Sequence, residues 1–190
     1  MKILLVIDMQ KDFVTGVLGT PEAQSIVPRI VSKVSDVEDG RVVIFTKDTH
    51  SDNYLDTMEG KKLPVPHCIR GTDGWEIVPE IEDAWFRIVP HSDRYMSVFN
   101  GFDIIEKDTF GSSELMDFLQ ENKCIIEEIE LVGVCTDICV IANAILCKTA
   151  IPEAIIKVDA SCCAGVTPET HNNAIAAMKM LQIDIINEKI

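Results

Sequence analysis

Strand-like and helix-like runs alternate along this chain, and that alternation most narrows the folds open to it. Residues 2–7, 41–46, 102–106, 128–134, 154–158 and 183–186 are apolar and often β-branched, as buried strands require. Between them Val27, Ile30, Val31 and Val34 recur at helical spacing and stop at Asp39-Gly40. Leu115, Phe118 and Leu119 mark another helix, begun by Ser112 or Ser113, and residues 140–147 are too rich in Ala and Leu for a strand. Thr167 then offers an N-cap with Pro168 at the first helical position, and Ala174, Ala177, Met178 and Leu181 continue one apolar face. Strands alternating with helices predict an α/β fold. We expect one three-layer, doubly wound domain over residues 1–190, with a mostly parallel sheet of about six strands. No repeat, low-complexity tract or linker interrupts it. The long irregular stretch from Thr49 to Gly74 has a length that is usually functional.

In open parallel sheets, chemistry gathers outside the carboxyl ends of the strands. Asp8, Asp48, Lys107 and Cys139 all fall at such ends, so they are expected to converge on one edge. Thr136 is an N-cap candidate with Asp137 in the first turn, which puts Cys139 where free N–H groups and the helix dipole favour thiolate. A small apolar residue packed under the helix fits the same position. A Cys–Lys–Asp set makes chemical sense, because the lysine stabilises thiolate while the carboxylate accepts the thiol proton and later returns it. Asp48 and His50 can project to one side, and His67 returns from the far end of the long loop. One carboxylate and two imidazoles with positions left open form a catalytic arrangement for zinc, iron or manganese. On spacing alone, Asp-x-His is better read as a surface turn. Glu59 is a candidate further ligand and equally an exposed turn acid. His91 and His171 have no partner motif and are read as structural.

Composition excludes more than it selects. No run of 18 apolar residues exists, so no membrane span is expected, and the apolar start is too short for a signal peptide. Seven cysteines, an odd number, read as reduced thiols in a cytoplasmic protein rather than as a disulfide framework. A net charge of −14, from 17 basic and 31 acidic groups, argues against a nucleic-acid partner. Acid runs such as residues 36–39 and 127–130 are read as solvated faces.

Five motifs in order carry a resemblance that covers nearly the whole chain. Asp8-Met-Gln-Lys-Asp-Phe13, Lys47-Asp-Thr-His50, Pro66-His-Cys-Ile-Arg-Gly-Thr72, Lys107 ahead of Phe110-Gly-Ser-Ser113, and Gly133-Val-Cys-Thr-Asp-Ile-Cys139 resemble the isochorismatase-like cysteine hydrolases, and within them the nicotinamidases. Asp159-Ala-Ser-Cys-Cys163 and Pro168-Glu-Thr-His171 are similar to that family's closing strand and helix start.

The resemblance implies Asp8, Lys107 and Cys139 as catalytic residues, with Cys139 the nucleophile. It implies an oxyanion hole from the backbone N–H groups of Cys135 and Cys139, aimed by a cis peptide before Cys135. It further implies a divalent metal, zinc foremost, on Asp48, His50 and His67, which orients a substrate's ring nitrogen, and Phe13 as a ring-stacking wall. The expected reaction is hydrolysis of nicotinamide to nicotinate and ammonia through a thioester, in a homo-oligomer acting on a small amide. The family's usual pocket Trp is replaced by Pro64, with Trp75, Trp85 or Tyr54 as candidates to fill its place. The runner-up is a related cysteine hydrolase acting on a carbamoyl or ureido compound. A redox or metal-binding protein using Cys135 and Cys139 would leave Asp8 and Lys107 without a role.

Overall fold

The computed structural model, which describes residues 1–36, 41–88 and 104–188, joins six strands in one all-parallel sheet. They are β1 (Lys2–Ile7), β2 (Arg41–Asp48), β3 (Ile104–Lys107), β4 (Glu128–Val134), β5 (Ile155–Ala164) and β6 (Asp184–Ile186). Across the sheet they lie β3-β2-β1-β4-β5-β6. The order reverses between β1 and β4, and a crevice opens beside such a reversal at the carboxyl ends of the strands. β1 is central, and its Leu4, Leu5, Val6 and Ile7 are fully buried.

Among the described residues, seven α-helices join the strands: α1 (Lys11–Val14), α2 (Pro21–Ser35), α3 (Met58–Lys62), α4 (Pro79–Ile88), α5 (Ser113–Glu121), α6 (Ile141–Ala150) and α7 (Pro168–Met180). α2 packs on β4 and β5 with α4 beside it, whereas α5 and α6 pack together and α7 lies against β5 and β6. Right-handed crossovers that reverse direction at β1 place these two groups on opposite faces of the sheet.

The helix starts follow local chemistry. Thr20 accepts from the Ala23 N–H with Pro21 at the first position, and Ser112, rather than Ser113, caps α5 by accepting from Leu115 N–H. Thr167 and Thr170 form a reciprocal capping box on α7.

Several expectations change. The stretch from Thr49 to Gly74 holds one 3-10 turn, Tyr54–Asp56, and the short helix α3, and a second 3-10 turn, Asp73–Trp75, overlaps its end. The strand expected over residues 154–158 continues to Ala164. Glu130 is not on a solvated face. It is buried, with Lys33 Nζ 2.5 Å from one oxygen and Arg41 Nη2 2.8 Å from the other. The stop at Asp39-Gly40, most of the acid run 36–39, His91 and the first two residues of the run 102–106 lie outside the described residues. Among the described residues, no helix is long and apolar enough to cross a membrane.

Candidate active site

Strand register assembles the polar cluster. Ile7 pairs with Thr46 on one side and Gly133 on the other, so Asp8 emerges between β2 and β4. Asp48 pairs directly with Lys107 across the β2–β3 edge. Lys107 Nζ then lies 2.6 Å from Asp8 Oδ2, 3.5 Å from Asp48 Oδ1 and 3.8 Å from Cys139 Sγ. All four side chains are buried. Thr46 Oγ1 donates to Asp8 Oδ1 at 2.6 Å and fixes the carboxylate plane.

The turn that carries Cys139 is built differently from the N-capped helix expected. Residues Thr136–Val140 form one π-helical turn whose N-cap is Cys135, and the Val134–Cys135 peptide is cis. Thr136 caps nothing. Its hydroxyl lies 2.8 Å from His171 Nδ1, and Asp137 accepts from the Val166 N–H. His171 therefore ties α7 to this turn. The wider turn is held by Asn143, which donates to the Cys139 and Phe110 carbonyls and accepts from the Ser112 N–H, at 2.8, 3.0 and 3.0 Å. One buried amide thus joins the Cys139 turn to the loop that follows Lys107.

Burial also reverses the expected thiol electrostatics. It pushes the Cys139 thiol well up, with the Asp8 charge adding to the effect and Lys107 only partly opposing it. That direction favours the neutral thiol. Burial likewise raises the Asp8 carboxyl despite Lys107 beside it. At Lys107, burial favours the neutral amine, but the charges of Asp8 and Asp48, with the hydrogen bond to Asp8, outweigh it and hold the ammonium. The Cys135 thiol is pushed up to about 12, mainly by burial.

Beside this cluster, Asp48, His50 and His67 bring ligand atoms within 4.8 Å of one another. His50 Nε2 is 3.0 Å from Asp48 Oδ2 but not aligned with it as a donor, so this buried nitrogen has no hydrogen-bond partner among the described residues. His67 Nδ1 donates to the Val65 carbonyl at 2.8 Å, which leaves Nε2 to face the cluster. Burial alone would raise the Asp48 carboxyl, yet His50, His67 and Lys107 hold it well below the usual carboxylate range. Glu59 Oε1 stands 3.7 and 3.9 Å from the two imidazole Nε2 atoms. An orphaned imidazole nitrogen, a second one oriented by its own carbonyl, and an ionised carboxylate fit a divalent metal.

Two side chains that motif reading left without a role position this set. Gln10 accepts from the Asp48 N–H at 2.8 Å and donates to its carbonyl at 2.8 Å, gripping both peptide groups of that residue. Asp12 accepts from the Cys68 N–H at 2.8 Å, beside His67. Their spacing from Asp8, at every second residue, was the available signal.

A cavity of about 210 Å³ adjoins Cys139, Cys135, Asp48 and His67, walled by Phe13, Leu63, Phe110 and Ile138. Phe13 meets His67 edge-on at 5.4 Å. None of the three candidates for the missing Trp lines it. Tyr54 packs behind the imidazoles, 4.6 Å from the His50 ring, Trp75 lies under Lys47, and Trp85 packs on Phe45. Leu63 and Phe110 supply the walls instead.

The isochorismatase-domain family model matches residues 2–188. The chain belongs to the isochorismatase family. It is 24% identical to the nicotinamidase/pyrazinamidase of Mycobacterium tuberculosis over 98% of both chains. Among solved structures, the pyrazinamidase/nicotinamidase of Streptococcus mutans superimposes with a TM-score of 0.80 at 28% identity, covering 98% of this chain and 100% of that one. The pyrazinamidase of Pyrococcus horikoshii, solved in complex with zinc, shares the fold with a TM-score of 0.73 at 24% identity, over 98% and 99% of the two chains. Within its family the chain falls with hydrolases of amide bonds.

Proposed function

We propose that the protein hydrolyses nicotinamide to nicotinate and ammonia, with Cys139 as nucleophile. The observation that carries this reading is Lys107 bridging Asp8, Asp48 and Cys139, the last two of which line a cavity sized for one aromatic ring. Asp8 takes the thiol proton as Sγ attacks the carboxamide carbon, then gives it to the departing ammonia. Because burial favours the neutral thiol, that proton transfer accompanies or precedes attack. Lys107 opposes the burial that raises the Asp8 carboxyl, and it offsets charge on the sulfur. The backbone N–H groups of Cys135 and Cys139 receive the tetrahedral oxyanion, and water then cleaves the thioester.

Asp48, His50 and His67 would hold the metal ion, with Glu59 a further donor within reach. Zinc fits this donor set, as do iron and manganese. When bound, the ion supplies a Lewis acid for the ring nitrogen of the substrate. Phe13, Leu63 and Phe110 form the apolar ring walls.

Ammonia release across a panel of amides tests the reading. Nicotinamide and pyrazinamide should turn over, whereas benzamide, which lacks the ring nitrogen, should be a much poorer substrate. Equal hydrolysis of benzamide would mean that nothing in the site reads the nitrogen. Turnover of an aliphatic carbamoyl compound alone would replace this reading with the ureido-type hydrolase.

A further inference from the structure

Beside the ring cavity the described residues line a second and larger space, which opens to solvent along Met58, Lys62 and Thr109. It measures about 650 Å³ and is lined by Tyr54, Met58, Lys62 and Thr109, among others. Glu59, Leu63, Phe110 and Ile138 line both spaces and form the partition between them. Leu63 and Phe110 are 38% and 45% exposed, and no side-chain hydrogen bond fixes a hydrocarbon group, so this wall can part by rotation. The chamber offers apolar surface on Met58, Leu63, Phe110 and Ile138.

Within the proposed reading, a bound pyridine-3-carboxamide has two fixed points, its carboxamide at Cys139 and its ring nitrogen at the Asp48–His67 end. Ring position 5 is the carbon adjacent to neither. We propose that the substrate class of this site includes pyridine-3-carboxamides bearing a flat apolar group at position 5, which passes between Leu63 and Phe110 into the chamber. The hydrolytic step is unchanged: the thiol displaces ammonia from the same carbonyl, and water releases the 5-substituted acid. Burying an aryl group on such surface yields about tenfold tighter binding when part of the ring stays at the open rim.

5-Phenylnicotinamide and nicotinamide are the probes. Their affinities are measured by calorimetry on the Cys139→Ala variant, which cannot turn over, and their kcat/KM on the parent enzyme. The proposal expects the phenyl compound to bind about tenfold more tightly and to be hydrolysed at least as efficiently. Met58→Trp and Thr109→Trp fill the chamber from two sides, and neither residue lines the ring cavity. Either variant should cancel the phenyl gain while leaving nicotinamide kinetics as they were, which also reports intact folding. Nicotinamide binding with no binding of the phenyl compound overturns the inference, as does a phenyl gain that survives both Trp variants. Failure to bind nicotinamide itself overturns the underlying reading and the inference with it.

Discussion

Cys135 and Cys139 share one turn, yet only Cys139 has Lys107 within 3.8 Å and the Asp8–Lys107 pair beside it. Cys139→Ala should therefore abolish ammonia release with folding unchanged, whereas Cys135→Ala, of which only the N–H is used, should keep most of it. The reverse result would exchange their roles. Asp8→Asn and Lys107→Ala should each lower kcat by roughly 10²–10⁴-fold, the usual worth of positioned acid–base groups, with metal content intact. The pH profile carries a sign that follows from burial. Asp8 must be ionised to accept the proton, and its folded pKa is raised above the ordinary carboxylate value of about 4. The acid limb of kcat/KM should thus lie above pH 4, with activity falling as pH drops through the raised value. A limb at or below that point would remove Asp8 as the base.

At the scale of elements, the candidate metal ligands depend on side chains outside the donor set. Gln10 holds the Asp48 peptide from both its N–H and its carbonyl. Gln10→Ala should weaken metal binding by about 10–100-fold, as loss of such outer partners typically does, measured by titration against a chelator. His50→Ala and His67→Ala should lose the metal outright, and full metal stoichiometry in both would eliminate the proposed site. Part of this was legible in the sequence. Asp8, Asp48 and Lys107 lie at ends of strands whose apolar patterns are plain, so their convergence followed from parallel topology. The π turn was not legible, because Thr136 satisfies every local rule for an N-cap and is claimed instead by His171, 35 residues away. Asn143 and Gln10 were hidden for a related reason. Each bonds to backbone groups that register brings near, so spacing could mark Gln10 beside Asp8 but could not name its partner. Helix α4 was missed although Pro79, the acids Glu80 and Glu82, and the Ile81–Trp85 pair at i and i+4 announce it.

Across the whole molecule, the site exists because β1, β2, β3 and β4 end at one level, and Gly133 is where that arrangement is tightest. Its φ is +121°, and a Cβ there would stand 2.1 Å from the Ile7 carbonyl oxygen. Gly133→Ala should cost roughly 2–5 kcal/mol, combining backbone strain with overpacking, and should lower Tm accordingly. At the far end of the sheet, Lys33 joins α2 to Glu130 and Asp159. Burial alone would raise the Asp159 carboxyl, but Lys33, Ser161 and Asn187 more than offset it and hold it below its ordinary value. A depressed carboxylate contributes stability that is present above the unfolded pKa of about 4 and is lost as pH falls through the folded one. Tm should therefore drop below pH 4, and Asp159→Asn should flatten that acid decline. The account as a whole stands on a covalent bond between Cys139 and the acyl group of the substrate. Acid quenching within one turnover of nicotinamide, followed by peptide mass mapping, reads that bond directly. The account predicts a nicotinoyl group on the peptide carrying Cys139, absent in Cys139→Ala and unaffected by Cys135→Ala. Product formation with Cys139 unmodified throughout the first turnover, or the acyl group on Cys135, would contradict it.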